Sequence, residues 1–323
     1  MQEYRYTGYQ NFRLMDEMEQ YLFIMQHSDF VQDPDRYSPI FEQFDYLFLG
    51  YDPLSGVRGW RDHRYPPNQW QRTRAAMLLF NRITEGVIDK DRMKRAGPAW
   101  DLLTEAYDQY HQQMTLHQRC DFPTIQQIFL EFLNSQVGRR FIEGDSSEPE
   151  IHPGVAHVIV DEYQDTNPIQ EVIYFTLAHN TRNLCVVGDD DQALYRFRGG
   201  TVECMVTFDH ACQHYLGVRS TPRYLGVNYR SHPTIVNYCD EYIRSFPVMR
   251  IEGARVEGKP QLSAGSSITG TYPAVAFIRG RTIEDTAQNF ARCIRYLLDN
   301  HIIENANQCV LLMRSVKESP RNA

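Results

Sequence analysis

The stretch 158-VIVDEYQD-165 decides the fold class of this chain. Its apolar β-branched residues lead directly into an acidic pair, which is the pattern of a short buried strand that ends in charged side chains. The stretch 183-NLCVVGDDD-191 repeats this pattern, and residues 167–181 between the two have the length and the periodicity of a helix. Strand, helix and strand in this order predict a parallel α/β sheet, whose functional side chains gather at the carboxyl ends of the strands.

The two strand ends carry residue types that suit nucleotide hydrolysis. An apolar strand that delivers Asp161 and Glu162 side by side can place one carboxylate on Mg²⁺ and the other beside an attacking water. An Asp–Glu pair alone would more often be a solvated strand end. The run Asp189–Asp191 favours the catalytic interpretation, because adjacent carboxylates repel one another unless a metal, a cation or a hydrogen-bond network uses them. Gln192 follows with an amide that can contact a phosphate.

Two further segments add aromatic and basic side chains. In 195-YRFRGG-200, aromatic rings and guanidinium groups are the types that stack on and hold single-stranded bases, although the segment could equally be a packed turn. In 225-LGVNYRS-231, Arg230 lies at a junction between two α/β segments, from which an arginine can neutralise transferring phosphate charge. Taken alone, 228-NYRS-231 would more often be a helix N-cap beside a surface arginine.

In their order and spacing, the segments 161–170, 186–200 and 228–231 resemble motifs II, III and IV of UvrD/Rep-type superfamily 1 DNA helicases. Weaker resemblances are found at 119-RCDFPTIQQIFLEF-132 and 308-QCVLLMRSVKES-319. The resemblance implies an ATP-dependent helicase that moves 3′ to 5′ along single-stranded DNA and unwinds duplex junctions, in repair or recombination.

The same resemblance implies the fold and its division into domains. It implies an α/β fold with the parallel sheet of a RecA-like P-loop NTPase. Residues 1–150 would form a mostly helical insertion, and 151–225 the ATPase core that carries motifs II and III. Residues 226–323 would form an incomplete second RecA-like domain that begins with motif IV.

The resemblance also assigns roles around ATP and Mg²⁺. Asp161 would bind the metal, and Glu162 would activate the hydrolytic water. The other residues that would bind or sense the nucleotide are Gln164 and Gln192 near the phosphates, Asp189, Tyr229 on the adenine and Arg230 at the γ-phosphate. Contacts with single-stranded DNA would come from Tyr195, Phe197 and Arg198; many relatives have tryptophan at the position of Phe197.

The family's phosphate-binding loop, G-x-x-x-x-G-K-[ST], does not occur before Asp161 in this sequence. The segment 253-GARVEGK-259 has the glycine and lysine spacing, but Pro260 replaces the hydroxyl that would bind Mg²⁺, so we do not expect it to bind phosphate. Motifs V and VI are not found either. We therefore favour a helicase fragment that is inactive by itself, with a partner or a missing segment supplying these parts.

Two alternatives stay open on the sequence. A noncatalytic module that binds DNA or a partner would keep the fold without turnover. A metal-dependent nuclease could use Asp161, Glu162 and Asp189–Asp191, but it would leave the glutamines, the NYRS segment and the aromatic residues without a role.

Bulk composition limits the partners and the compartment. The 323 residues carry a net charge of −8, so any binding of nucleic acid must be local. The seven cysteines follow no pairing or metal-ligand pattern, which predicts reduced thiols in the cytoplasm. No apolar run is long enough to cross a membrane, and the N-terminus does not resemble a secretion signal, so no membrane partner is expected.

Periodicity predicts the remaining elements. A helix within 13–28 would bury an apolar face made of Leu14, Met18, Tyr21, Leu22 and Met25. Further helices are predicted at 71–87, 99–116, 123–134, 231–246 and 284–301, and strands at 274–280 and 308–315. The basic and aromatic stretch 58–74 is either a DNA contact or, slightly favoured, a solvated loop whose tryptophans pack on helices.

Overall fold

The computed structural model of the chain describes residues 11–44, 67–147, 150, 153–193, 202–268 and 275–312. The chain divides into two compact units. The first comprises Met1–Tyr224 and Ile243–Lys259, and the second comprises Leu225–Tyr242 and Pro260–Ala323. Helices predominate, and the described strands form short parallel pairs, so the fold class is α/β with a large helical part.

The N-terminal part of the first unit is built mainly from helices. In the described residues these are α1 (Glu17–His27), α2 (Asp29–Gln32), α3 (Ser38–Gln43), α4 (Gln69–Glu85), α5 (Lys90–Arg95) and α6 (Pro98–Leu116). Two short strands, β1 (Arg13–Leu14) and β2 (Arg119–Cys120), pair in parallel. The helices share one apolar cluster that is rich in aromatic rings. The helices predicted at 71–87 and 99–116 are confirmed by α4 and α6.

The first helix is shorter than its periodicity predicts, and it buries a different face. A capping box at Asp16 starts α1 beyond Leu14, which lies in β1. The residues that α1 buries are Gln20, Phe23 and Ile24. Met18, which belongs to the predicted apolar face, is 64% exposed. That predicted face is therefore wrong, because hydrogen bonds draw the polar side chain of Gln20 into the interior in its place.

A buried carboxylate, Asp121, joins three helices of this part. It caps α7 (Phe122–Asn134) by accepting the main-chain N–H of Thr124 at 2.8 Å. Its other oxygen accepts from the hydroxyl of Tyr110 on α6 at 2.7 Å and from Nε2 of Gln20 on α1 at 2.8 Å. The predicted helix start after Asp121 is confirmed. Because α7 packs against the helix that follows the β3 turn, this carboxylate also supports the site described below.

The α/β part of the first unit contains a parallel strand pair. Strand β3 (Val158–Val160) follows α8 (Gln136–Glu143) and pairs in register with β4 (Leu184–Val186), and α9 (Pro168–Ala178) connects the two strands. A capping box of Asn167 and Gln170 starts α9. Two more helices, α10 (Val202–Val206) and α11 (Phe208–Leu216), complete the apolar clusters around the pair. The predicted order of strand, helix and strand is confirmed.

The second unit contains another short parallel pair, β5 (Val227–Asn228) with β6 (Ser263–Ala264). Helices α12 (Pro233–Ser245) and α13 (Ile283–Asp299) confirm the predicted helices, although α12 ends beyond the boundary of this unit. The two predicted strands are wrong where they are described, because residues 275–280 and 309–312 form no strand. A strand needs a neighbour for its main-chain hydrogen bonds, and Phe277 and Leu312 are instead 90% and 87% exposed.

The basic and aromatic stretch 58–74 is described only from residue 67 onward. Arg72 donates to the main-chain oxygen of Val31 at 3.0 Å and to that of Pro67, and burial lowers the pKa of its guanidinium. This arginine therefore serves packing. Trp70 stays largely exposed while its ring stacks on Tyr21, with 5.9 Å between the centroids.

Two of the expectations drawn from composition concern the cysteines and the apolar character of the helices. All seven cysteines are free thiols, as the sequence predicts. None of the helices in the described ranges has both the length and the apolar character needed to cross a bilayer.

Candidate functional site

The carboxyl end of β3 turns sharply and exposes Asp161 and Glu162. Glu162 has a left-handed backbone, with φ of 51° and ψ of 43°, which costs a residue other than glycine on the order of 1 kcal/mol. Its N–H donates to Oδ1 of Asp161 at 2.9 Å. A short 3₁₀ turn, Tyr163–Asp165, follows. The turn thus presents two adjacent carboxylates at the end of the strand.

Tyr163 anchors this turn in the interior. Its side chain is fully buried, its main-chain N–H donates to the oxygen of Val187 at 2.9 Å, and its hydroxyl donates to Oε1 of Glu171 at 2.9 Å. Its ring packs edge-on against Phe208 of α11, with 5.3 Å between the centroids. Burial, reinforced by Glu171, raises the pKa of Tyr163, and burial raises that of Glu171. The turn is therefore tied to β4, α9 and α11.

Gly188 allows the end of β4 to approach the turn closely. The N–H of Val187 donates to the oxygen of Val160 at 2.8 Å and continues the ladder past the strand ends. A Cβ on residue 188 would lie 2.5 Å from Oε1 of Gln164 and 3.1 Å from the main-chain nitrogen of Tyr163. Since carbon and oxygen atoms cannot pack at 2.5 Å, a larger residue here would displace the hydrogen-bonded side chain of Gln164.

Gln164 connects the two strand ends by hydrogen bonds. Its side chain is buried, its Oε1 accepts the N–H of Asp189 at 3.0 Å, and its Nε2 donates to Oε2 of Glu162. Oδ2 of Asp189 then accepts from Nε2 of Gln192 at 2.7 Å. The result is a continuous chain of hydrogen bonds, Glu162–Gln164–Asp189–Gln192, which we call the strand-end relay.

The three aspartates after β4 bind two cationic side chains that the sequence analysis did not identify. Nζ of Lys259 lies 2.5, 2.6 and 2.8 Å from carboxylate oxygens of Asp189, Asp190 and Asp191. Arg255 makes a two-pronged contact with Asp191, at 2.6 and 2.8 Å. The sequence signal was the acidic run itself, which required a metal, a cation or a hydrogen-bond network.

This cluster shifts the pKa values of its members. Burial alone would raise the pKa of Asp189, but hydrogen bonds from Lys259 and Gln192 outweigh it and lower the pKa. Burial alone would lower the pKa of Lys259, but its hydrogen bonds to the three carboxylates raise it. The carboxylate of Asp189 and the ammonium of Lys259 are therefore both charged at neutral pH.

The carboxylates near the β3 end fit a divalent cation. Asp161 is exposed, and Oδ1 of Asp165 is buried with no hydrogen-bond partner in the described part of the chain. Burial, and to a lesser degree the charge of Glu162, raises the pKa of Asp165. Mg²⁺ in nucleotide sites typically takes one or two carboxylates and fills its other positions with phosphate oxygens and water. The donor set at this strand end suits that arrangement.

The aspartate run is a less suitable metal site. Ligand oxygens of Asp189, Asp190 and Asp191 lie within 4.8 Å of one another, as a metal would require. The ammonium of Lys259, however, already lies among them and contacts all three. This arrangement counts against a nuclease that would use these aspartates for metal binding.

The remaining residues of the predicted site belong to the second unit or lie outside the described ranges. Tyr229 and Arg230 belong to the second unit and are exposed; Oδ1 of Asn228 accepts the N–H of Arg230 at 3.0 Å and closes the turn there. The residues predicted to contact DNA, Tyr195, Phe197 and Arg198, lie outside the described residues.

Comparison with known proteins gives partial matches that agree with one another. The family profile described as the UvrD/REP helicase N-terminal domain matches residues 9–213. The chain is 33% identical over 138 residues to the putative ATP-dependent DNA helicase YjcD of Bacillus subtilis, covering 43% of this chain and 16% of that protein. It is 39% identical over 89 residues to the ATP-dependent DNA helicase PcrA of Staphylococcus aureus, covering 28% of this chain and 12% of PcrA. The chain thus spans only a small part of these relatives.

Proposed function

Because this chain belongs to the UvrD/REP helicase family, we propose that it carries the metal- and water-binding centre of an ATP-dependent DNA helicase. The observation that carries the proposal is the strand-end relay, which connects an exposed carboxylate after β3 to a glutamine after β4. ATP and Mg²⁺ would be the cofactors, and single-stranded DNA and duplex junctions the partners. The β3–β4 pair would be part of a RecA-like parallel sheet.

The β3 end would supply the groups that act on the attacking water. Asp161 would hold Mg²⁺, which when bound neutralises phosphate charge. Glu162 would accept the proton of the water that attacks the γ-phosphate. Because Gln164 already donates to Oε2 of Glu162, the water would approach Oε1. The left-handed backbone of Glu162 supports this role, since strained conformations persist where the surrounding structure holds them for function.

The β4 end would report the state of the nucleotide. Gln192 is exposed and donates its amide to Asp189, so it can exchange that partner for a phosphate oxygen. A change in the hydrogen bonding of Gln192 would alter Asp189, then Gln164 and then Glu162, because the relay connects these residues in that order. Tyr229 and Arg230 would bind the adenine and the γ-phosphate, as the family resemblance implies.

The same proposal assigns a role to each part of the chain. Residues 1–150 would be a helical insertion, 151–225 the ATPase core and 226–323 part of a second RecA-like domain. Tyr195, Phe197 and Arg198 would contact single-stranded DNA during 3′ to 5′ movement in repair or recombination. A partner or a further segment would supply the phosphate-binding loop and motifs V and VI.

ATP hydrolysis by the chain and by a longer protein tests this proposal. The chain alone should show no hydrolysis that single-stranded DNA stimulates. The protein that includes the segment upstream in the reading frame should contain G-x-x-x-x-G-K-[ST] and show DNA-stimulated hydrolysis. DNA-stimulated turnover by the chain alone, abolished by Glu162→Gln, would contradict its proposed incompleteness. A stop codon directly before Met1 would instead favour a noncatalytic module.

A further inference from the structure

We infer that Lys259 is a positioning residue of the strand-end site, which fixes Asp189 and through it the side-chain amide of Gln192. The segment that carries it, 253-GARVEGK-259, resembles a phosphate-binding loop in spacing but directs its lysine to carboxylates of its own unit. The expected effect of Lys259 on ATP hydrolysis rests on the proposed function. The contacts of Asp189 with Lys259 and Gln192 do not depend on it.

The partners of the aspartates show which of them depends on Lys259. Asp191 also binds Arg255 through both of its oxygens, and Asp190 also accepts the main-chain N–H of Val256 at 2.8 Å. Within the described ranges, Lys259 is the only cation that contacts Asp189. Lys259 is likewise the cation that contacts Asp190, but Asp189 is the aspartate that accepts from Gln192, so loss of the ammonium reaches Gln192 through Asp189.

Both carboxylate oxygens of Asp189 accept hydrogen bonds, one from Lys259 and the other from Gln192, so the orientation of Asp189 decides that of Gln192. Oδ1 accepts from Lys259 and from the N–H of Asp191 at 3.2 Å, and Oδ2 accepts from Gln192 at 2.7 Å. Without the ammonium, repulsion from Asp190 and Asp191 would rotate the Asp189 carboxylate toward solvent. Gln192 would then lose the acceptor that holds its amide.

The two cations of the cluster, Lys259 and Arg255, have different roles. The side chains of Asp190 and Asp191 are 1% and 9% exposed, and charges at that depth are tolerated only when they are paired and hydrogen-bonded. Of the three aspartates, Arg255 contacts Asp191 in the described ranges, whereas Lys259 reaches all three carboxylates. Both residues neutralise the aspartates, but Lys259 is the one that contacts Asp189, the acceptor of Gln192.

The amide resonance of Gln192 provides a readout that needs neither ATP nor DNA. In the ¹⁵N-labelled full chain, the Nε2 resonance can be assigned by its loss in Gln192→Met. In Lys259→Met it should move to the position of solvent-exposed glutamine amides. Arg255→Met removes a cation from the same cluster without touching Asp189, so it should leave the resonance in place. An unmoved resonance in a folded Lys259→Met chain would overturn the inference.

A charge-balanced variant keeps the test decisive if Lys259→Met does not fold. The double variant Lys259→Met/Asp190→Asn removes one cation and one carboxylate, so the net charge of the cluster stays the same. It should fold and show the moved Gln192 resonance, whereas Asp190→Asn alone should show the original one. The same resonance position in both variants would contradict a role for Lys259.

Hydrolysis by the longer protein separates this inference from the proposed function. Lys259→Met should lower kcat while the affinity for single-stranded DNA stays unchanged. A moved Gln192 resonance with unchanged kcat would overturn the positioning role in hydrolysis. Absence of DNA-stimulated hydrolysis in the unsubstituted longer protein would overturn the proposed function, and the resonance shift would still decide whether Lys259 fixes Gln192.

Discussion

Gly188 sets the distance between the β4 end and the turn after β3, and its replacement by alanine tests that spacing. The added Cβ of Gly188→Ala would lie 2.5 Å from Oε1 of Gln164, so the turn must shift and the hydrogen bond to Asp189 must lengthen. We expect a loss of about 1–3 kcal/mol in the free energy of unfolding, measured by urea denaturation.

Gly226→Ala is the matched control for this substitution. Nothing lies within 4 Å of a Cβ built on Gly226, so the change should alter the free energy of unfolding by no more than about 0.5 kcal/mol. Equal costs for the two substitutions would show that the close approach at Gly188 does not constrain the turn.

Single residues also show how far the sequence could predict the site. The strand pattern predicted the positions of Asp161, Glu162 and Gln192, because the ends of parallel strands meet at one edge of a sheet. The acidic run predicted a metal, a cation or a hydrogen-bond network at Asp189–Asp191. It could not predict Lys259, which lies 68 to 70 residues further along the chain and reaches the cluster only through the tertiary fold.

At the scale of elements, Asp121 joins α1, α6 and α7. Asp121→Asn keeps the size of the side chain and its ability to cap α7, but one oxygen that accepts from Tyr110 and Gln20 is lost or replaced by a donor. We expect a loss of about 2–4 kcal/mol in the free energy of unfolding.

Asp16→Asn serves as the control for Asp121→Asn. Asp16 is also a helix N-cap, but it is exposed, and among the described residues its side chain bonds only within its own capping box. Because asparagine caps helices about as well as aspartate, this substitution should cost no more than about 0.5 kcal/mol. A similar small cost at Asp121 would mean that the buried contacts do not stabilise the helix junction.

Glu85, the last residue of α4, should make stability depend on pH. Burial raises its pKa from 4.5 to about 7, with Asp121 adding to the shift and Arg82 opposing it. The folded chain therefore binds more protons than the unfolded chain between these two values, and the free energy of unfolding falls as the pH rises through them.

Glu85→Gln removes this ionisation and isolates its effect. The variant should gain stability relative to the unsubstituted chain as the pH rises from about 5 to about 8, as measured by urea midpoints. The half-buried His111, whose pKa burial lowers, is present in both proteins, so its contribution cancels to first order in the comparison. A difference that stays constant or shrinks with rising pH would contradict the raised pKa.

The sequence predicted secondary-structure elements well where local signals, such as capping residues and prolines, determine them. It predicted them poorly where tertiary packing determines them. Helices α4, α7 and α9 begin at capping residues or prolines that the sequence displays. The face of α1 depended on the hydrogen bonds of Gln20 with distant helices, so periodicity alone misassigned it. Apolar runs at 274–280 and 308–315 predicted strands, but a strand forms only beside a pairing partner.

At the scale of the whole molecule, the chain combines membership of the helicase family with one hydrogen-bonded site after β3 and β4. The chain matches the UvrD/REP helicase profile over residues 9–213 and covers 12–16% of the relatives YjcD and PcrA. The chain thus spans only a small part of the length of these relatives. Of the proposed hydrolytic site, the relay after β3 and β4 is the part that the structure of this chain defines.

The most direct test of the central claim is the DNA-stimulated rate of ATP hydrolysis in the longer protein that contains the phosphate-binding loop. If Glu162 accepts the proton of the attacking water, Glu162→Gln should lower kcat by about 10²–10⁴-fold while nucleotide binding is retained. The exposed control Glu252→Gln should leave kcat unchanged. An unchanged kcat in Glu162→Gln, measured beside that control, would contradict the assignment of the β3 end as the hydrolytic centre.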